Sequence, residues 1–376
     1  MKKIVIISEA LGGGVRRHIL DLLKNLDKSE FEMYFIYNLD RADSIVIAEL
    51  NNLKSLGIRL IEVENFNREI SIKDFVVFIN IYRVLKKINP HIVHCHSSKA
   101  GAIGRVAAKL LRTPKIIYTP HAYIFQNPNL NPYKKIVYKY LEKLLNKYAT
   151  TLTVNVSKGE RNFALENKIG CLEDFIIIYN GVEEANEQNR EVIAQNKDNQ
   201  EVFKVINLAR VDAQKDPFSF IEIAQKVCKM HSNVRFTYVG EGGLLSKCKQ
   251  KVSHLGLNEN IEFIGFSSNV EKLIAESHIC LSTSLYEGMP YSLIEVCRAG
   301  LPIIASNVIG NNEIVLSEKN GFLFDLYDTD QAANYILSLI QDKDMLKTMR
   351  ENAISVYKEK YTLDMMIKKY ESIYRD

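Results

Sequence analysis

The chain has 376 residues, 47% of them hydrophobic and 25% charged, with a formal net charge of +4. This is the make-up of a soluble globular protein; the length allows two to three domains, with two expected, and a core large enough to need no disulfide or metal staple. The charge is uneven, with 27 Lys and Arg against 17 Asp and Glu in residues 1–180 and 22 against 28 in residues 181–376, so the first half suits an anionic surface such as lipid headgroups or nucleic acid.

Met1-Lys2-Lys3 is followed by four apolar residues, Ile4 to Ile7. That is too short for a signal core of roughly 7–15 residues and reads as a buried first strand. No apolar run approaches the ~20 residues of a membrane span. Strands are expected at Lys3–Ser8, Glu32–Tyr37, Arg59–Val63, His91–His94, Lys115–Thr119, Leu152–Val156 and Asp174–Tyr179. Helices are expected at Val15–Leu26, Ile45–Leu56, Asp74–Asn89, Ala100–Leu111 and Tyr133–Tyr148, with a short one from Gly159. Residues 183–200, rich in Glu, Asn and Gln without hydrophobic period, read as a linker. Alternation then restarts, with strands at Val202–Leu208, Arg235–Val239, Ile261–Ile264, Ile279–Ser282 and Pro302–Ala305. The helices between them are Asp216–Met230, Leu244–Leu255, Val270–Glu276, Pro290–Ala299 and Gln331–Gln341. Strand–helix alternation with apolar strands predicts parallel sheets covered on both faces. The expected architecture is α/β, with two doubly wound Rossmann-like domains facing a central cleft: residues 1–182, and residues 201–355 after the linker. Residues 356–376 are expected to form a helix packing back on the first domain. The six cysteines stand singly, with no CxxC pair, as in a reduced cytosolic compartment.

Ligands of open α/β sheets bind beyond the strand carboxyl ends, and the chemistry-bearing residues fall there. Gly12-Gly13-Gly14 follows the first strand and opens a helix, which suits either phosphate contact or a tight turn. It is neither GxGxxG nor a P-loop. His121 lies just past a strand end, as a cleft contact or as a core or capping histidine. His94 and His96 form an HxH pair with no nearby carboxylate, a weak metal signature. Arg210 and Lys215 bracket a strand-to-helix junction, where two cations suit a diphosphate; Asp212 and Asp216 are the alternative partners. Glu241 and Gly242 lie in a further glycine turn. Glu287 and Glu295 stand eight apart, with Gly288 and Pro290 marking a helix start between them. Carboxylates accept pairs of hydroxyl hydrogen bonds, and helix-start N–H groups suit phosphate or sugar oxygens. A paired-carboxylate hydrolase leaves the cations and glycine loops without a role.

In this order, over essentially the whole chain, these motifs resemble glycosyltransferase family 4, the retaining nucleotide-sugar transferases of GT-B fold. The resemblance rests on Gly12-Gly13-Gly14, His121, Asn180-Gly181-Val182, Arg210 with Lys215, Glu241-Gly242 and the Glu287/Glu295 pair. It implies that Glu295 holds the donor ribose and that Glu287 faces the transferred sugar. The N–H groups from Met289 through Pro290, Tyr291 and Ser292 to Leu293 (proline excepted), with the Ser292 hydroxyl and the Gly288 turn, meet sugar or phosphate oxygens. Arg210 and Lys215 neutralise the leaving diphosphate, Gly13 and Gly14 lie under it, His121 contacts the sugar, and Gly265-Phe266 lies beside the base. No DxD motif is present, and neither a metal nor another cofactor is expected, since cations and N–H dipoles supply the stabilisation. The resemblance further implies a UDP-linked hexose or N-acetylhexosamine donor, and a polyprenyl-diphosphate-linked glycan acceptor in bacterial surface polysaccharide synthesis. An epimerase or phosphorylase of the same fold, and a non-catalytic partner subunit of a membrane transferase, are the alternatives.

Tyr133–Tyr148 carries an apolar stripe with Lys134, Lys135, Lys139, Lys143 and Lys147 against Glu142 alone. One reading packs the stripe on its own sheet and leaves a solvated lysine face. The other docks the basic face on an anionic membrane, which places the protein in the cytoplasm, peripheral on the inner face of the cell membrane. No nucleic-acid motif is present, and no nucleic-acid partner is expected.

Overall fold

The computed structural model describes residues 1–40, 44–66, 71–184 and 202–376. They form two units, one of residues 1–180 with 363–376 and one of residues 181–362.

In the first unit, β-branched and aromatic runs form the strands β1 (Lys2–Ser8), β2 (Phe31–Tyr37), β3 (Arg59–Glu62), β4 (Ile92–His96), β5 (Lys115–Thr119), β6 (Leu152–Asn155) and β7 (Phe175–Ile177). They pair in parallel in the order β3-β2-β1-β4-β5-β6-β7. The helices are α1 (Gly13–Asn25), α2 (Ser44–Ser55), α3 (Lys73–Ile88), α4 (Ser98–Leu110), α5 (Pro132–Ala149) and α6 (Lys158–Glu166). Alternate strand residues feed opposite cores, as a period of two requires. Ile4 and Ile6 pack with Leu22 and Leu23 of α1 and with Tyr370 and Tyr374 of the C-terminal helix. Val5 and Ile7 pack with Val77 and Leu85 of α3 and Ala107 of α4.

The stripe of α5 does not pack on the sheet. The buried residues of this helix are Glu142, Leu145, Asn146 and Ala149; of the expected apolar stripe only Leu145 turns inward, and the rest faces out. A polar lock sets the orientation. Fully buried Arg105 pairs with Glu142 at 2.8 Å, donates to the Gly101 carbonyl and lies 3.7 Å over the Tyr118 ring. Tyr118 donates to the other Glu142 oxygen (3.2 Å), and Thr153 donates to Asn146 (3.1 Å). A buried guanidinium left without its carboxylate is strongly destabilising, so the only acid of α5 is drawn inward and the stripe is turned outward.

In the second unit, β8 (Phe203–Leu208), β9 (Val234–Val239), β10 (Ile261–Gly265), β11 (Ile279–Ser282), β12 (Ile303–Ser306) and β13 (Gly321–Phe324) make a parallel sheet in the order β10-β9-β8-β11-β12-β13. The helices are α7 (Pro217–Met230), α8 (Leu245–His254), α9 (Val270–Glu276), α10 (Tyr291–Arg298), α11 (Asn311–Ile314), α12 (Thr329–Gln341) and α13 (Lys343–Lys360). Phe220, Phe236, Leu281 and Phe324 are among its core. Strand β13 and helices α11 and α13 were not among the expected elements. The C-terminal stretch also differs from expectation. Residues 356–360 still belong to α13 in the second unit, and the first unit regains the chain at α14 (Leu363–Arg375). Val182 bridges Thr362 and accepts the Tyr357 hydroxyl at 3.0 Å, so the first boundary falls at 180/181 rather than 182. The linker expected at 183–200 lies outside the described residues from 185 onward.

Candidate functional site

Strand order reverses between β1 and β4 in the first unit and between β8 and β11 in the second. Loops diverge at such points and leave room for a ligand.

At the first, Gly12, Gly13 and Gly14 are exposed after β1. Gly13 begins α1 at φ +60° with open space where a Cβ would stand, so glycine serves the backbone conformation here. Buried Glu9 ties the two strand ends together by accepting the Ser97 hydroxyl and the Ala100 N–H. His121 follows β5 at φ +55° and Ala122 at φ +80°, two successive left-handed residues without a glycine. Buried Glu160 holds this turn. It accepts the Ala122 N–H (2.5 Å), the Val156 N–H (2.9 Å) and an Asn155 amide hydrogen (3.3 Å). Strain held this firmly is characteristic of ligand-contacting positions.

His121 belongs to a histidine cluster that sequence reasoning missed. Its Nε2 shares a hydrogen bond of 2.9 Å with Nδ1 of His96, and its ring meets His18 edge-on at 4.7 Å. His18 Nδ1–H donates to the Asn180 side chain at 3.0 Å, while its Nε2 accepts from the Tyr370 hydroxyl at 3.0 Å. His94 bonds the Tyr374 hydroxyl (2.6 Å) and Thr119 (2.8 Å). Burial lowers the His18 pKa to about 4, and it holds His94, His96 and His121 well below the ordinary histidine value, helped by their neighbours. All four rings are therefore neutral near pH 7. Ring nitrogens of His18, His96 and His121 lie within 4.8 Å of one another, a spacing that could gather a metal ion. His18 would have to give up a bond to Asn180 or Tyr370 to join, and the trio includes no carboxylate. The available signal was His94-x-His96, which puts both rings on one strand face; His18, Tyr370 and Tyr374 come from distant segments.

At the second reversal, the loops after β8 and β11 meet. Lys215 forms an ion pair with Glu287, at side-chain exposures of 15% and 8%. Gln214 donates to the Tyr286 carbonyl (3.0 Å), and the Thr283 hydroxyl bridges the Lys215 and Asp216 carbonyls at 2.9 Å each. Arg210 is exposed and turns to Asp212 (3.1 Å) and Gln214 (3.1 Å), so one of its alternative partners is realised. The β9 loop lies close against this one. A Cβ on Gly240 would stand 2.0 Å from the Ala209 carbonyl oxygen, and one on Gly242 2.3 Å from that of Val211, whose N–H donates to Glu241 O (2.9 Å). Glu241 and Gly242 are exposed, and Phe266, just after β10, is exposed as well.

Helix α10 starts at Tyr291 with Pro290 as N-cap, a residue with no side-chain acceptor for the first turn. Met289, Pro290, Tyr291 and Leu293 are buried, Ser292 and Glu295 partly so. Gly310, at φ +83°, backs this segment so closely that a Cβ would lie 2.5 Å from the Gly288 carbonyl oxygen. The second unit thus gathers Lys215 and Glu287 directly, with Arg210, Glu241, Gly242, Phe266 and the α10 start at carboxyl ends of the same sheet.

Two family models match the chain: Glycosyltransferase Family 4 over residues 12–186, and Glycosyl transferases group 1 over residues 188–356. The chain is 29% identical over 374 residues to the Escherichia coli UDP-Gal:alpha-D-GlcNAc-diphosphoundecaprenol alpha-1,3-galactosyltransferase, covering 96% of this chain and 94% of that one. It is 27% identical over 285 residues to the putative glycosyltransferase EpsD of Bacillus subtilis, covering 72% and 73%. Among solved structures, Anabaena HepE in complex with UDP and glucose matches with a TM-score of 0.82 at 17% identity over 100% of both chains. Thermosynechococcus elongatus sucrose-phosphate synthase matches with a TM-score of 0.82 at 15% identity, over 100% of this chain and 98% of that one. At such identities the likeness is one of fold, and the fold is GT-B. With one model on each half of the sequence, the chain belongs to the glycosyltransferases of the family 4 type.

Proposed function

We propose that this glycosyltransferase moves a hexose or N-acetylhexosamine, with retention, from a UDP-sugar to a polyprenyl-diphosphate-linked glycan during surface polysaccharide synthesis, working at the inner face of the cell membrane. The observation that carries the donor reading is the Lys215–Glu287 pair at the strand-order reversal, next to a helix start whose N-cap is proline. A lysine held by a carboxylate there is a cation placed in advance for a diphosphate, and Arg210 is an exposed second one. Support for the lipid-linked acceptor comes from the E. coli relative, whose name gives a diphosphoundecaprenol-linked substrate. UDP as the leaving nucleotide is supported by the same name and by the UDP in HepE.

In the proposed reaction the bond from the anomeric carbon to the diphosphate oxygen breaks first, giving an oxocarbenium-like transition state. Lys215, Arg210 and the N–H groups at the α10 start stabilise charge developing on the diphosphate. The acceptor oxygen attacks from the face the diphosphate leaves, and its proton passes to a leaving-group oxygen. Glu295 holds the ribose, Glu287 faces the sugar, and Phe266 lies beside the base. Gly13 and Gly14 serve the diphosphate, and His121 contacts the sugar. The reaction is proposed to need no metal.

A thermal-shift series with UDP, GDP and UDP-sugars tests the donor. Ligand at a hundredfold excess over its dissociation constant stabilises by ~2.7 kcal/mol, and the expected result is a rise with the uridine series. A rise with guanosine nucleotides alone overturns the uridine assignment, and no rise with any of them favours the partner-subunit reading.

A further inference from the structure

We propose that the outward stripe of α5 inserts into the headgroup region of an anionic phospholipid bilayer, with the helix lying in the membrane plane and Lys134, Lys143 and Lys147 flanking the inserted residues. This deepens the membrane part of the proposed function and rests on that reading only for its biological setting. Tyr133, Ile136, Val137 and Tyr140 are 80%, 66%, 62% and 63% exposed, and Leu141, Leu144 and Tyr148 continue the line. At about 100° per residue these side chains fill an arc of roughly 140°, centred roughly 150° from the buried line of Glu142, Leu145, Asn146 and Ala149. The helix therefore meets its own core through a polar lock and presents its apolar side outward, the reverse of an ordinary surface helix.

Exposed apolar residues continue onto the neighbouring helices. α3 packs on α4 and α4 on α5, and Phe75 of α3 and Leu110 of α4 are exposed as well. On the opposite face of the sheet, α2 exposes Ile47.

Charge identifies the occupant. Helices α3, α4 and α5 contain two carboxylates, Asp74 and Glu142, and both are engaged internally, by Lys99 and Arg105. The five lysines of α5 make no ion pair among the described residues. A second copy of the same face would set lysine against lysine. A helix side of exposed tyrosines and aliphatics with flanking lysines matches an anionic lipid interface. The 18-residue helix is about 27 Å long, enough for several headgroups, and no helix among the described residues can cross a membrane.

The chain has no tryptophan, so Tyr140→Trp in the full-length protein is a single-site reporter, with Ile47→Trp as the control. Vesicles of phosphatidylcholine with phosphatidylglycerol should shift the Tyr140→Trp emission to the blue and allow quenching by brominated acyl chains. Pure phosphatidylcholine vesicles, and the Ile47→Trp protein, should show neither. Reversing Lys134, Lys143 and Lys147, which border the stripe at about 100° per residue, to Glu should weaken partition by at least ~100-fold, at about fivefold per basic residue. Ile136→Asp with Val137→Asp, at an unchanged melting temperature, should weaken it at least tenfold and leave lysine-dependent adsorption behind. Unchanged Tyr140→Trp emission, or partition indifferent to the two aspartates, overturns insertion. A dimer in vesicle-free solution that the aspartates dissociate overturns it in favour of a self-interface. Vesicle binding is measured without donor or acceptor, and transfer is measured on a water-soluble acceptor without vesicles, so failure of either reading leaves the other standing.

Discussion

Replacing Lys215 by Met keeps the aliphatic stem and removes the charge that Glu287 faces at 8% side-chain exposure. A carboxylate left this deep without its cation costs about 3–5 kcal/mol. The lower end applies, because the 15% exposure of Lys215 leaves a path for water to the vacated end. For a unit of this size, each kcal/mol moves the midpoint by roughly 2–4 °C, so the second unit should melt about 6–12 °C lower. Glu287→Gln alone should cost about 1 kcal/mol, since the freed ammonium can still reach water and the amide keeps a hydrogen bond. The double variant removes both charges, and it should regain half or more of the fall seen with Lys215→Met. Turnover behaves differently. Lys215→Met should lose at least about tenfold, because the leaving diphosphate loses its cation, and the double variant should regain none of it. Scanning calorimetry reads the first quantity and UDP release the second. Additive melting shifts in the double variant refute the buried coupling; near-normal turnover of Lys215→Met removes the lysine from the site.

The histidine cluster makes the first unit acid-sensitive. Its four rings have folded-state pKa values below the ordinary 6.5, with His18 at about 4, so between pH 6.5 and 4 the unfolded chain binds protons that the folded one refuses. Stability is full above pH 6.5 and falls as the pH drops through that window; at pH 5.5 each ring that stays neutral costs about 1 kcal/mol relative to neutral pH. Equal melting of this unit at pH 7.5 and 5.5 refutes it. Gly310→Ala should lower both melting temperature and turnover, because its Cβ must displace the Gly288 carbonyl next to Glu287. Gly243→Ala, with open space around it, should melt near wild type, and equal behaviour of the two variants in calorimetry and the transfer assay refutes the close approach. Chelator should leave transfer unchanged, and loss restored by magnesium overturns the metal-free mechanism.

Local sequence pattern determined the two parallel sheets, most helices and the placing of Arg210, Lys215, Glu287 and His121 at strand ends, because periodicity and punctuation are properties of neighbouring residues. Strand β13 and helices α11 and α13 escaped; one-turn α11 is too short to show a period. The tertiary structure alone decided three things. It paired Lys215 with Glu287, 72 residues apart. It assembled His18, His94, His96 and His121 under hydroxyls from Tyr370 and Tyr374, near the other end of the chain. It also turned α5 over. An amphipathic stripe shows that a helix has two faces but not which one the core takes, and here the buried Arg105 chose the face bearing Glu142. Each of these depends on which distant charge or ring is desolvated beside which partner, a quantity that exists only once the chain has folded.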